Sequence, residues 1–205
     1  MVLAGNIWIP FGCLESFISD EEKTMHQCNP SQIVSFFDEV NGRSMEKLCQ
    51  DLGKATLANS GDWVSLFMCS GGGKVNPAFA THEFVRHILR PKLQTVALGE
   101  LGSIAPLLFL MGDHRVITPE TTLWFHHIGR SFDEKVRIDT LGADRMHREL
   151  QLDEGKYFRI LEERTDGKIG KRKAQSLLRG EKTLSAKEAV KLGLAHEIVS
   201  APMPR

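Results

Sequence analysis

From Gln32 onward the chain alternates between two hydrophobic periods, and this alternation limits its possible folds more than any other feature. The run "QIVSFFDEV" reads as a strand. "GRSMEKLCQDLGKATLA" then sets Met45, Leu48, Leu52 and Ala55 on one helical stripe, with Cys49 beside it. A second strand, "DWVSLFMCS", ends in Gly71-Gly72-Gly73, and a helix through "PAFATHEFVRHIL" leads to the strand "LQTVAL". A loop carrying Ser103 follows, with the apolar helix "LLFLM" behind it. Strands alternating with helices imply an α/β fold of mainly parallel strands joined by helical crossovers, whose sites form beyond the carboxyl ends of the strands. The tri-glycine and Ser103 both fall at such ends.

Downstream, "HRVITP" and "TTLWFHH" are short strand-like runs, the second ending in His126-His127. A charged segment at about 132–164 carries Ile138, Leu141, Met146, Leu150, Tyr157 and Leu161 as a loose helical stripe. It is too long for a core helix and is expected to project. The final stretch "KTLSAKEAVKLGLAHEIV" reads as a Ser-capped short helix closed by Gly193, then a last strand. Residues 1–30 show neither period and read as an irregular arm, leaving 31–205 as one domain.

Charge and cysteine usage exclude several classes of function. Lys plus Arg equals Asp plus Glu at 26 each, so nothing electrostatic favours nucleic acid or an anionic membrane as partner. The cluster Lys168, Lys171, Arg172, Lys173 and Arg179 reads as a solvated helix face. Four cysteines, Cys13, Cys28, Cys49 and Cys69, make no disulfide framework in a chain of this length, which points to a reducing compartment. His26, Cys28 and Cys13 match no standard zinc spacing. The opening segment lacks a basic signal-peptide region and no run reaches membrane-spanning length, so a cytoplasmic protein is expected.

Ser103 admits two readings: a helix cap that accepts from the first free N–H groups, or a nucleophile held by the packing behind it. Nucleophilic chemistry needs a base within hydrogen-bond reach and backbone N–H donors that a substrate can approach. The tri-glycine, Ser103 and the histidine pair lie in a chain order that supplies all three.

These motifs resemble those of the Clp protease proteolytic subunit family. The chain carries "SGGG" at 70–73, "LGSIA" at 101–105, "LWFHHIG" at 123–129 and "EKTLSAKEAVKLGL" at 181–194. In that family the corresponding segments read Ser-Pro-Gly-Gly, Gly-x-Ala-Ser-Met-Gly, Val-Met-Ile-His-Gln-Pro and Asp-x-Phe-x-Ser-Ala-x-Glu-Ala-x-x-x-Gly-Leu. The resemblance implies the ClpP/crotonase fold, built of repeated β-β-α spiral units with a projecting handle helix at about 132–164. By position it implies Ser103 as nucleophile, His126 as base, Glu181 as acid, and the N–H groups of Gly72 and Ile104 as oxyanion donors. Pro119 keeps the family's distance to the base and selects His126 over His127.

The resemblance also implies a serine endopeptidase with no metal or organic cofactor. It implies peptide or unfolded-protein substrates, a homo-oligomeric ring and an AAA+ unfoldase partner. The chain departs from the pattern at Gly71, Gly102, Ile104, Ala105 and Glu181, the last replacing an Asp. Two other readings share the fold: a ring subunit without activity, and a crotonase-type acyl-CoA enzyme, which needs no Ser-His-acid set.

Overall fold

The computed structural model describes residues 32–58, 61–130 and 137–199. The arm over 1–30, with Cys13, His26 and Cys28, lies outside the described residues, as does the start of the handle segment. Helix α1 spans Gly42–Ala58 and buries the stripe Met45, Leu48, Leu52 and Ala55. Its start is fixed reciprocally: Asn41 Oδ1 accepts from the Ser44 N–H at 3.0 Å and Ser44 Oγ accepts from the Asn41 N–H at 3.0 Å. Truncating Leu48 or Leu52 to Ala would cost about 2–5 kcal/mol, since both are enclosed on every side.

The strands β1 (Ile33–Phe36), β2 (Trp63–Ser70), β3 (Lys92–Gly102), β4 (His114–Ile117) and β7 (Glu197–Ile198) form a parallel sheet in the order β1-β2-β3-β4-β7. β3 is longer than "LQTVAL" suggests, because its second half takes a different partner. Its residues 94–97 pair with β4, and Glu100, Leu101 and Gly102 pair with β5 (Thr122–Trp124). Strand β6 (Thr183–Ser185) runs antiparallel to β5. Gly99, at φ +62°, lies where the β2–β3 register slips between Met68 and Ser70. That irregularity bends the sheet toward its second partner set. Stacked pairing of this kind gives the expected spiral of strand pairs and helices.

Helix α2 (Val75–Glu83) continues through a wide π-turn at Phe84–Leu89. The run behind Ser103 forms only a short helix, α3 (Ala105–Phe109), because its side chains are buried all round and no stripe selects a longer one. Helix α4 (Thr140–Arg164) starts at Asp139, whose side chain accepts from the Gly142 N–H. Its first half exposes Leu141 and Leu152, whereas Tyr157, Phe158, Ile160 and Leu161 are buried against the domain. The handle therefore projects from a packed base. Helix α5 (Lys171–Arg179) turns Lys171, Arg172, Lys173 and Arg179 outward. Helix α6 (Ala186–Lys191) starts with a capping box between Ser185 and Glu188, and Gly193 closes it at φ +73°.

Buried Arg115 ties these ends together. Its guanidinium donates to the carbonyls of Gly112, Gly193, Leu194 and Arg164 at 2.8–3.2 Å. A buried cation is tolerated there because it meets carbonyl oxygens at the C-terminal ends of α4 and α6.

Candidate active site

Ser103 sits in the turn between β3 and α3 with φ +58°, a conformation a non-glycine residue holds only when its surroundings impose it. Its N–H donates to the Trp124 carbonyl at 2.9 Å, which locks the turn to β5. The capping reading fails. The residue capping α3 is Ile104, without a side-chain hydrogen bond, and the Ser103 hydroxyl lies 2.6 Å from His126 Nε2. For His126 to take a proton from that hydroxyl, Nε2 must be the unprotonated nitrogen.

His126 lies just past the end of β5, and its ring stacks on Trp124 with centroids 4.5 Å apart and planes 20° apart. His127 borders the same cavity but does not meet Ser103: its Nδ1 meets Glu154 Oε1 on α4 at 3.3 Å. Arg130 bonds the buried Asp153 at 2.8 Å, and Lys156 bonds the other oxygen of Asp153 at 2.9 Å. The segment carrying the base is thus anchored to the buried half of the handle. Ser103 and His126 open onto a cavity of about 180 Å³, whose walls include Gly73, Val75, Ile104, Ile128, Gly129 and Tyr157. The Tyr157 hydroxyl is buried without a hydrogen-bond partner among the described residues, and burial drives its pKa far above the usual phenol range.

The tri-glycine is held against the nucleophile by Val40. The Val40 N–H donates to the Gly72 carbonyl at 2.7 Å, and the Lys74 N–H donates to the Val40 carbonyl at 2.6 Å. Gly72 itself is buried, and its N–H donates to Ser70 Oγ at 3.2 Å. The donor position that sequence alignment gives to Gly72 is therefore already engaged. Gly73 is exposed, lines the cavity beside Ser103, and its N–H meets no acceptor among the described residues. The Ile104 N–H is likewise without an acceptor among them, at the start of α3.

Glu181 lies in the turn before β6 at φ +46°, exposed. The β5–β6 register pairs Trp124 with Thr183, and the Phe125 N–H donates to the Lys182 carbonyl at 2.8 Å. One further step sets Glu181 opposite His126. The side chains do not meet: the histidine–carboxylate pairs among the described residues are His87–Glu83, His114–Glu197 and His127–Glu154, and His126 has none.

The structure thus brings the Ser103 and His126 side chains together with Ile104 at one cavity, sets Gly72 against Ser103 with its N–H on Ser70 Oγ and Gly73 on the cavity wall, and leaves the Glu181 carboxylate out of contact with His126. Sequence reasoning missed Trp124, although residues two apart on a strand share a face and Trp124 stands two before His126.

A model of the Clp protease family matches residues 19–202, nearly the whole chain. The chain belongs to the Clp protease family. The match begins inside the segment read as an arm. Membership fits the mainly parallel sheet, the projecting handle and a peptidase-type hydrolase. Among the described residues no helix is long and apolar enough to cross a membrane.

Proposed function

We propose that this member of the Clp protease family is a serine endopeptidase in which Ser103 is the nucleophile and His126 the general base. The observation that carries the reading is the 2.6 Å contact between Ser103 Oγ and His126 Nε2, made by a serine in a constrained turn at a cavity mouth. His126 takes the hydroxyl proton as Oγ attacks a peptide carbonyl, and a tetrahedral oxyanion forms. The Ile104 N–H, which has no acceptor among the described residues, is one donor to it, and the Gly72–Gly73 backbone packed beside Ser103 supplies the other. Each is worth roughly 3–4 kcal/mol of transition-state stabilisation. The protonated imidazole then gives its proton to the leaving amine, and water, activated by the same imidazole, hydrolyses the acyl-enzyme. Glu181 is the acid of the set by position; with its carboxylate outside ion-pair distance of His126, it acts on the imidazolium only as a distant charge.

The same proposal extends to assembly. Ile138, Leu141 and Leu152 are exposed on and beside the projecting half of α4, and burial against other copies explains such a stripe. We therefore assign a homo-oligomeric ring, fed with unfolded protein by an AAA+ unfoldase in the cytoplasm, as the working form. Sedimentation showing only monomer at micromolar concentration would rule the ring out.

The absence of an ion-paired carboxylate at His126 among the described residues favours a second reading, a ring subunit without activity. Hydrolysis of unstructured peptides separates the two. The proposed enzyme cleaves them and loses cleavage in both Ser103→Ala and His126→Ala; an inactive subunit cleaves nothing as wild type.

A further inference from the structure

In acyl transfer by a Ser-His pair the imidazole becomes a cation as the tetrahedral intermediate forms, and some group must hold its plane and favour its charge. A carboxylate is the usual source. Here the His126 ring, besides its contact with Ser103, stacks on the Trp124 indole at 4.5 Å and 20°. Trp, Tyr and Phe faces attract cations through the ring quadrupole, and Trp does so most strongly.

Trp124 is itself fixed at several points. Its backbone pairs with Gly102 on one side and Thr183 on the other, and its carbonyl accepts the Ser103 N–H at 2.9 Å. One residue therefore sets the nucleophile's backbone and the base's ring together. The charged and titratable groups that face His126 are Glu181 across the ladder, His127 with its partner Glu154 on α4, and the buried Tyr157 phenol in the wall of the same cavity. None of them forms an ion pair with it among the described residues.

We infer that Trp124 is a positioning residue for His126: its indole face fixes the imidazole plane for Ser103 and stabilises the imidazolium formed during acylation. The inference rests on the serine-peptidase reading for its catalytic meaning, but the stack can be tested without turnover. A π face does not select a tautomer, so its contribution is orientation and charge. Removing a partly desolvated cation–π contact is expected to cost about tenfold in rate.

The test uses the full chain with Trp124→Leu and Trp124→Phe. In peptide hydrolysis, Trp124→Leu should lower kcat by about tenfold with KM nearly unchanged and move the acidic limb of the pH profile to lower pH. Trp124→Phe, which keeps an aromatic face and the fold, should recover part of both. Independently of turnover, the His126 ring signals are titrated by NMR in Ser103→Ala, with and without Trp124→Leu. The titration midpoint should fall when the indole is removed. An unchanged midpoint, or a raised KM with unchanged kcat, overturns the inference. If the midpoint falls while wild type shows no Ser103-dependent hydrolysis, the stack stands and the peptidase reading fails.

Discussion

Gly72 separates the tri-glycine from the nucleophile by so little space that a single methyl group tests the arrangement. A Cβ at this position would lie 2.5 Å from Ser103 Cβ, 2.7 Å from the Gly102 carbonyl oxygen and 3.1 Å from the Ile104 nitrogen. Its φ of +100° adds backbone strain for any side chain. Strain at such a φ costs about 1–3 kcal/mol, and overpacking against backbone about as much again, so Gly72→Ala should lose roughly 2–6 kcal/mol of stability. Relief requires Ser103 to move away from Gly72 and out of line with His126. A shift on the order of 1 Å costs about a hundredfold in rate. Gly71→Ala is the control, because a Cβ there meets nothing within 4 Å and no positive φ opposes it. Its stability should change by less than about 1 kcal/mol. Urea unfolding measures the first quantity, and the rate of labelling by a fluorophosphonate probe the second. A folded Gly72→Ala that labels at the wild-type rate refutes the reasoning.

Three further outcomes are expected. His82 is buried with both ring nitrogens unpartnered among the described residues, and burial, then Arg164 and Arg86, lower its pKa from 6.5 to about 4. The native state therefore stays neutral where the unfolded chain binds a proton, so stability falls as pH drops from about 6.5 toward 4, by on the order of 3 kcal/mol. Urea midpoints at the two ends of that range should differ less in His82→Leu than in wild type; equal differences contradict the assignment. Tyr157→Phe removes a buried hydroxyl that has no partner among the described residues, so thermal unfolding should show stability unchanged or raised by about 1 kcal/mol, and a clear loss would contradict this by revealing a hydrogen bond to the hydroxyl. Glu181→Gln should lower kcat by less than about tenfold, because the carboxylate stands outside ion-pair distance of His126; a loss near the 10⁴-fold typical of a contacting triad acid would show that Glu181 closes on the ring during turnover.

The parts of the fold that were legible in the sequence are those with a clean period or an unambiguous cap. Helix α1 matches "GRSMEKLCQDLGKATLA" end to end because one buried stripe, Met45, Leu48, Leu52 and Ala55, runs its length, and the Ser185 cap and Gly193 stop bracket α6. β3 runs past "LQTVAL" although "GELG" has the composition of a loop. It stays in the sheet because Gly99 tolerates the bulge and Glu100, Leu101 and Gly102 pair with β5. Within the site, chain order pointed to Ser103 and His126, residues whose reactive atoms also meet. Motif position names Gly72, but it does not carry the hydrogen bond from the Gly72 N–H to Ser70 Oγ or the place of Gly73 on the cavity wall, which depend on how the turn packs. Nor could it show that the step from Lys182 to Glu181 turns through φ +46°, which places the acid opposite His126 without bringing it into contact.

The central claim is that Ser103 is a nucleophile activated by His126. Incubating the full chain with a fluorophosphonate and mapping the adduct by peptide mass spectrometry tests it directly. The account predicts a single adduct on Ser103, absent in Ser103→Ala and reduced by orders of magnitude in His126→Ala, with His127→Ala labelling near the wild-type rate. A folded wild-type protein that takes up no probe, or that carries the adduct on another residue, would contradict it.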